Sequence, residues 1–457
     1  MLYEGEALFQ RSDWASFALA IGVSLTIYIL TLSPEVTLEM SGILSTAALY
    51  GGVAHPPGFP LWTLYAWLFT QVLPFSNIAW RVSVSSAVAG ALTCGMIALM
   101  VSRVGAAILD GLTGFRRLDA GEERVLRTVA GFVAGMGFGF NNAYWLMAVT
   151  VETKPLTIAV LTLAVCLLLR WSYATERRRY LFAGFFAYGL SVSASPIVMP
   201  AALALPFFVM FFDAAIGREL FFAAATIAFA VVFTGRHGWL PLISDYEYRA
   251  VSVYFWLGVL TGIMWLGLLL KTRGAFTAWK PAIAAGCASL LGVAPYLWLP
   301  LASMTTLPSH WGYARTAEGF FHLLRRGQFE SITPTVGLGR FFGQLLIYAE
   351  VAWKSLGWPY LLVAPIPFLF VRRMRHQERA VILGVAAFYL CLSCLVVYLL
   401  NPPPDRSSED LSKVYFTPSY VMLTTWSGIG LILLGSILSR KRFLPTSRHG
   451  TVSPEIA

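Results

Sequence analysis

Charge is what this chain has least of. Only 12% of its 457 residues are Asp, Glu, Lys or Arg, against about a quarter in a soluble domain, and mean hydropathy is +0.68. A soluble enzyme is excluded; the composition is that of an integral membrane protein. Cysteine is also rare. Cys94, Cys166, Cys287, Cys391 and Cys394 all sit inside apolar runs, where they read as small core residues. They support neither a disulfide framework nor a zinc site, and the CxxC of Cys391 and Cys394, within an apolar run, is a weak redox or metal signal. Acids are fewer than bases, 23 against 33, for a net charge of +10. That excess would suggest nucleic acid in a soluble chain. Here Lys and Arg cluster in short loops between apolar runs, as topology signals do, and no nucleic-acid-binding motif accompanies them, so no nucleic-acid partner is expected. The first residues, MLYEGEALFQRSDW, lack the basic n-region and cleavage site of a secretory signal. The first apolar run is therefore expected to remain as a spanning anchor.

Apolar residues make up 57% of the chain. They fall in runs near the length a helix needs to cross ~30 Å of hydrocarbon, and only helices keep their backbone hydrogen bonds satisfied there. Such runs lie near residues 14–32, 82–101, 128–150, 155–171, 181–194, 197–213, 219–235, 252–270, 281–301, 356–371, 380–400 and 415–438. The fold class expected is an all-α polytopic membrane protein of about 12 to 13 transmembrane helices. It would form one transmembrane domain over 1–438, with a basic, disordered cytoplasmic tail over 439–457. Phe59–Pro74 is the thirteenth candidate. If it lies re-entrant or along the surface, most basic residues fall on one side, which is then the cytoplasm. The opposite side receives the first loop (33–81), Glu152, Ser195, the large loop (302–355) and the 401–414 loop.

The first loop, TLSPEVTLEMSGILSTAALYGGVAHPPGFPLW over Thr31–Trp62, carries Glu35, Glu39 and His55 but no Lys or Arg. A carboxylate at a membrane face can act as general base toward an acceptor hydroxyl or as a metal ligand. Glu35, beside Pro34, reads as a solvated loop acid, whereas Glu39 stands evenly between that reading and a functional one. Val151-Glu152-Thr153-Lys154-Pro155 joins two runs, with Pro155 suited to a helix first turn. Its Glu and Lys read as interfacial before catalytic. In the large loop, His310, Trp311, Arg315, Arg325 and Arg326 run against the charge asymmetry. Guanidinium groups bind phosphate bidentately, so an anionic headgroup or pyrophosphate is one reason for them. Lipid-surface attraction or pairing with Glu318 and Glu330 is another.

Several motifs recur together in one known family. They are SPEVTLE-x-SG at 33–42, HPPGFPLW at 55–62, AWRVSVSSA at 79–87, VETKPL at 151–156, GLSVSAS at 189–195, PYLWLPL at 295–301, WGYARTAEGFFHLLRRGQF at 311–329 and VYFTPSY at 414–420. In this order they resemble a family of polytopic membrane proteins, formerly a domain of unknown function, that includes an animal endoplasmic-reticulum protein O-mannosyltransferase and belongs to the GT-C glycosyltransferases. The resemblance departs at four polar positions. Where the family reads Asp-Ser-Gly-Glu, this chain has Met40-Ser41-Gly42-Ile43, and Ser195 and His310 stand where the family has His and Asn.

The resemblance implies a GT-C-like bundle whose first outer loop carries juxtamembrane helices. The enzyme would use a polyprenyl-phosphate-linked sugar donor on the outer or lumenal face and transfer the sugar to a protein or glycolipid acceptor. Glu39, with His55 nearby, would be the catalytic side. Arg315, Arg325, Arg326, Trp311, His310, Glu152 and Lys154 would hold the lipid phosphate. A divalent metal is not indicated, and the cofactor stays unknown. Expected partners are the lipid-linked donor, membrane lipids and the acceptor, and the expected location is the inner membrane of a bacterium or the endoplasmic reticulum of a eukaryote. Two other readings stay open. Loss of both acids at 40 and 43 suits a catalytically impaired relative that binds lipid-linked sugar or acts as an assembly partner. A secondary transporter ranks last, because its ionisable residues would lie mid-membrane.

Overall fold

The computed structural model describes residues 8–38, 40–112, 118–237, 248–305, 308, 311–325, 333–403 and 406–441. Among them the chain is helical, with no β-strand. The first helices are α1 (Arg11–Leu30), α2 (Ser41–Tyr50), α3 (Pro60–Val72), α4 (Ile78–Gly111), α5 (Ala120–Gly139), α6 (Asn142–Ala148) and α7 (Lys154–Ser172). Then come α8 (Arg179–Ala194), α9 (Ala204–Met210), α10 (Ala214–Arg236), α11 (Tyr248–Thr272), α12 (Trp279–Val293), α13 (Trp298–Ser303) and α14 (Ala317–Leu324). The last are α15 (Leu338–Leu356), α16 (Trp358–Val363), α17 (Ile366–Leu369), α18 (His376–Leu390), α19 (Val396–Leu400) and α20 (Arg406–Lys441).

Helix α4, 34 residues and about 50 Å long, is the central post, with α1, α5, α7 and α20 packed around it. Small residues allow the close approach. A Cβ at Gly131 or Gly135 of α5 would come within 2.6 Å of the carbonyl oxygens of Ala98 and Cys94 on α4. Two buried hydroxyls in this packing are satisfied internally: the Tyr28 hydroxyl donates to Gly139 O at 2.7 Å, and Tyr144 Oη donates to Thr93 Oγ1 at 3.0 Å.

Eight of the described helical segments are long and apolar enough to cross a membrane, and a ninth counts if one bent pair is a single span. The eight coincide with eight of the twelve apolar runs. The other four are shorter or interrupted, each for a local reason. Asn141 divides 128–150, its Oδ1 accepting from Tyr144 N–H at 2.9 Å to start α6. The runs 181–194 and 197–213 form a hairpin turning at Ser195, which is extended (φ −165°). Its return limb begins as a 3-10 helix, Pro196–Leu203, with Pro200 inside. The Tyr188 hydroxyl donates across the hairpin to Met199 O at 2.9 Å. The run 356–371 turns through 115° against α15 at Gly357. The remaining apolar runs fall below spanning length among the described residues because caps and prolines divide them.

The bundle has two contrasting ends. At one, the basic loops gather. Arg127 Nη2 pairs with the buried Asp13 at 3.0 Å and Nη1 with Glu123 at 3.0 Å, Ser102 Oγ donates to the same Asp13 at 2.5 Å, and Arg375 donates to Asp110 O at 3.0 Å. At the other lies the first loop. Asn77 Nδ2 donates to Pro34 O at 2.7 Å, so the start of α4 and the start of the loop stand at the same end. The segment Phe59–Pro74 therefore does not cross. Its helix α3, 13 residues or about 20 Å, is too short to. Residues 442–457, most of the tail, lie outside the described residues.

Candidate functional site

The first-loop end is assembled by the segments that carry the sequence motifs. Helix α2 stops at Gly51 (φ +63°), a left-handed position that glycine adopts without strain. Beyond it, Gly58 N–H donates to His55 O at 2.9 Å, closing a turn over the cis Pro56-Pro57 bond. Gly58 is required twice: its φ is +102°, and a Cβ there would come 2.8 Å from Leu299. Pro60 then opens α3, the position where a missing N–H removes nothing. Arg81 closes the far end of α3 with three bonds, to Phe75 O at 3.0 Å, Thr70 O at 3.1 Å and Ser76 O at 3.0 Å.

Two buried or half-buried indoles tie this loop to distant segments. Trp62, fully enclosed, donates Nε1–H to Glu152 O at 3.0 Å. Ser86 on α4 donates to the same oxygen at 3.2 Å and accepts from Glu152 N–H at 3.3 Å. Trp298 donates to Gly51 O at 2.9 Å. The large loop closes over this: Trp311 N–H donates to Val53 O at 3.3 Å, and Val53, Leu299, Ala302, Ala314 and Leu323 form a small apolar cluster.

With the backbone of Glu152 committed to the scaffold, its side chain carries the accessible charge. Oε1 accepts from Lys154 Nζ at 2.7 Å and from Thr153 N–H at 2.6 Å, and both charged side chains keep partial exposure. His55 is half-buried, with Nδ1 2.8 Å from Pro56 O and its ring edge-on to Phe59 at 5.0 Å. Arg315 is exposed, 5.8 Å from the Tyr313 ring. Arg325 is half-buried at the C-terminus of α14. The two arginines thus stand at opposite ends of α14, with about 12 Å of helix between them.

Glu39, His310 and Arg326 lie outside the described residues. Of the rest, the structure brings the His55 turn, the Glu152–Lys154 pair and Trp311 to one end, joined through Trp62 and Val53. Met40 packs against the main apolar core and Ile43 is half-buried, so apolar side chains occupy the two positions where the resemblance implied acids. Trp62, Ser86, Arg81 and Trp298 were not foreseen as site-builders. Each falls within a quoted motif, and that was their one sequence signal. Among the described residues no group of three or more His, Cys, Asp and Glu could hold a metal ion.

Residues 41–217 match the family model of the protein O-mannosyl-transferase TMEM260 N-terminal domain. Over that stretch the chain is similar to this family. It is 30% identical to the mouse protein O-mannosyl-transferase TMEM260 over 187 residues, covering 39% of this chain and 24% of that protein. Against the Dictyostelium discoideum protein of the same name it is 32% identical over 96 residues, 21% of this chain and 12% of the other. The matched stretch is thus about a quarter of the mouse relative's length. No solved structure matches the chain. The family match includes HPPG, SVSSA, VETKP and the Ser195 turn, and ends before the large loop and its arginines.

Proposed function

We propose that the chain is a membrane glycosyltransferase of the O-mannosyl-transferase kind, acting at its first-loop end on a polyprenyl-phosphate sugar. The carrying observation is the bonding of Trp62 and Ser86 to Glu152 O. It fixes the HPPG turn, α4 and the start of α7 in one rigid arrangement, with the Glu152 carboxylate and Lys154 left partly accessible. In the reaction, an acceptor hydroxyl oxygen attacks the sugar C1. The C1–O bond to phosphate breaks, polyprenyl phosphate leaves, and the hydroxyl proton passes to a carboxylate base. Glu39 is that base, since the acids at 40 and 43 are replaced. Lys154 and Arg315 neutralise the leaving phosphate, where guanidinium and ammonium groups are strongest. The charge asymmetry supports the outer or lumenal face, and the relatives' names support a protein as acceptor.

One observation favours a second reading, an impaired relative that binds the carrier without turnover. Met40, where the resemblance implies an acid, packs against the main apolar core. A lost general base removes about 10²–10⁴-fold of rate. The discriminating experiment supplies purified, reconstituted protein with a radiolabelled polyprenyl-phosphate mannose and an acceptor. Transfer that disappears in Glu39→Ala supports the enzyme; binding without transfer, indifferent to Glu39→Ala, establishes the impaired relative.

A further inference from the structure

Helix α15 presents two unlike faces. Inward, Gln344 Nε2 donates to Asn401 Oδ1 at 2.9 Å and Pro402 O at 3.0 Å, and Gln344 Oε1 accepts from Thr335 Oγ1 at 2.7 Å. The Tyr348 hydroxyl bonds Ser419 Oγ at 2.7 Å. Outward, Leu338, Phe342 and Leu346, one turn apart, are 75%, 60% and 73% exposed, followed by Trp353 at 54%. Arg340 and the exposed Glu350–Lys354 pair, 2.7 Å apart, flank that stripe.

The contacts along α20 show how α15 is oriented. Tyr348 meets Phe416, Ser419 and Tyr420. The segment beyond Gly357 runs along α20, so α15, set at 115° to it, lies across α20 near Phe416 and Ser419. After the 115° turn at Gly357 (φ +79°) the chain descends. Tyr360 O accepts from Ser427 Oγ at 2.8 Å, and Val363 packs on Gly430. The crossing level lies four to eight residues inside the apolar stretch Ser412–Ser439, about 6–12 Å along α20. Its neighbour α6 belongs to the first-loop end, since Trp145 donates to Thr31 Oγ1 at 3.2 Å.

We propose that α15 does not cross the membrane but lies in its plane, in the leaflet at the first-loop end. Leu338, Phe342, Leu346 and Trp353 rest among the acyl chains, while Arg340, Glu350 and Lys354 reach the headgroups. The occupant of the apolar face is the bilayer. Beyond Gly357 the exposed band continues through Trp358, Leu362 and Leu369 on the descending segment, and a depth of ~5–10 Å is where interfacial amphipathic helices sit. The proposal is independent of which sugar, if any, the protein transfers.

Single cysteines at Phe342 and Leu346, introduced after replacing the five native thiols, carry a nitroxide in proteoliposomes. These side chains are exposed, so the substitutions remove no internal packing. Dissolved oxygen is expected to relax both labels and a water-soluble nickel chelate to spare them, while Arg340→Cys and Glu350→Cys respond to the chelate. In parallel, Val336→Cys and Lys354→Cys are expected to react with an impermeant maleimide from the same side. Chelate access at 342 and 346 equal to that at 340 would overturn the proposal, as would labelling of 336 and 354 from opposite sides.

Discussion

The two ends of the bundle use charge differently. At the basic end, ionic groups are enclosed and bonded to one another. Asp13 is fully buried and takes bonds from Arg127 and Ser102, and Arg218 pairs with Glu219 in a buried contact at 2.5 Å. At the first-loop end, the scaffold is built from indole N–H groups, hydroxyls and backbone carbonyls. Charged groups there keep partial or full exposure: Glu152, Lys154 and Arg315. Arg81 is the exception, its guanidinium consumed by three carbonyls of the α3–α4 turn. The difference teaches that charge at the basic end is enclosed between helices, whereas charge at the first-loop end keeps access to solvent.

Mutations at the two ends should therefore separate stability from function. The largest stability effect is expected from Asp13→Ala. Leaving Arg127 buried without this partner costs about 3 kcal/mol or more, measured as a lower unfolding midpoint in detergent. An unchanged midpoint would mean the basic end is no more ionic in its construction than the other. Next, Trp62→Phe removes one buried hydrogen bond, worth about 1 kcal/mol, and loosens the turn against α7. A modest fall in midpoint should accompany a larger fall in transfer rate. Lys154→Ala is expected to lower the midpoint by less than about 1 kcal/mol, because the pair is partly solvated. Donor KM should nevertheless rise, and an equal loss in both would place Lys154 in the scaffold. Smallest of all, Arg315→Ala should leave the midpoint unchanged and weaken only donor binding, read by titration with the lipid-linked sugar.

Much of this architecture was legible beforehand, and the limits have physical causes. Eight apolar runs are helices of spanning length because hydropathy and length suffice to define them. The non-crossing of Phe59–Pro74 was the arrangement that kept the basic loops together, and the Asn77–Pro34 bond agrees with it. The turn at Ser195 was legible as a polar break before Pro196, whereas the breaks at Asn141 and Gly357 were not. Each of those two depends on a cap or a φ value whose consequence appears only once the neighbouring helix is in place. The site was legible as motifs but not as bonds. Trp62 and Glu152 are 90 residues apart, Trp298 and Gly51 are 247 apart, and no local periodicity links such pairs.

The contrast between the ends is tested most directly by sidedness. Proteoliposomes of known orientation would receive a short-chain, water-soluble polyprenyl-phosphate mannose with acceptor on one side only. Orientation would be set by maleimide labelling of Asn77→Cys against Asp110→Cys. Transfer is predicted only when donor reaches the face that carries Asn77 and the Trp62–Glu152 bond. Transfer supported from the face that carries Asp110 and the Asp13–Arg127 pair would contradict the account.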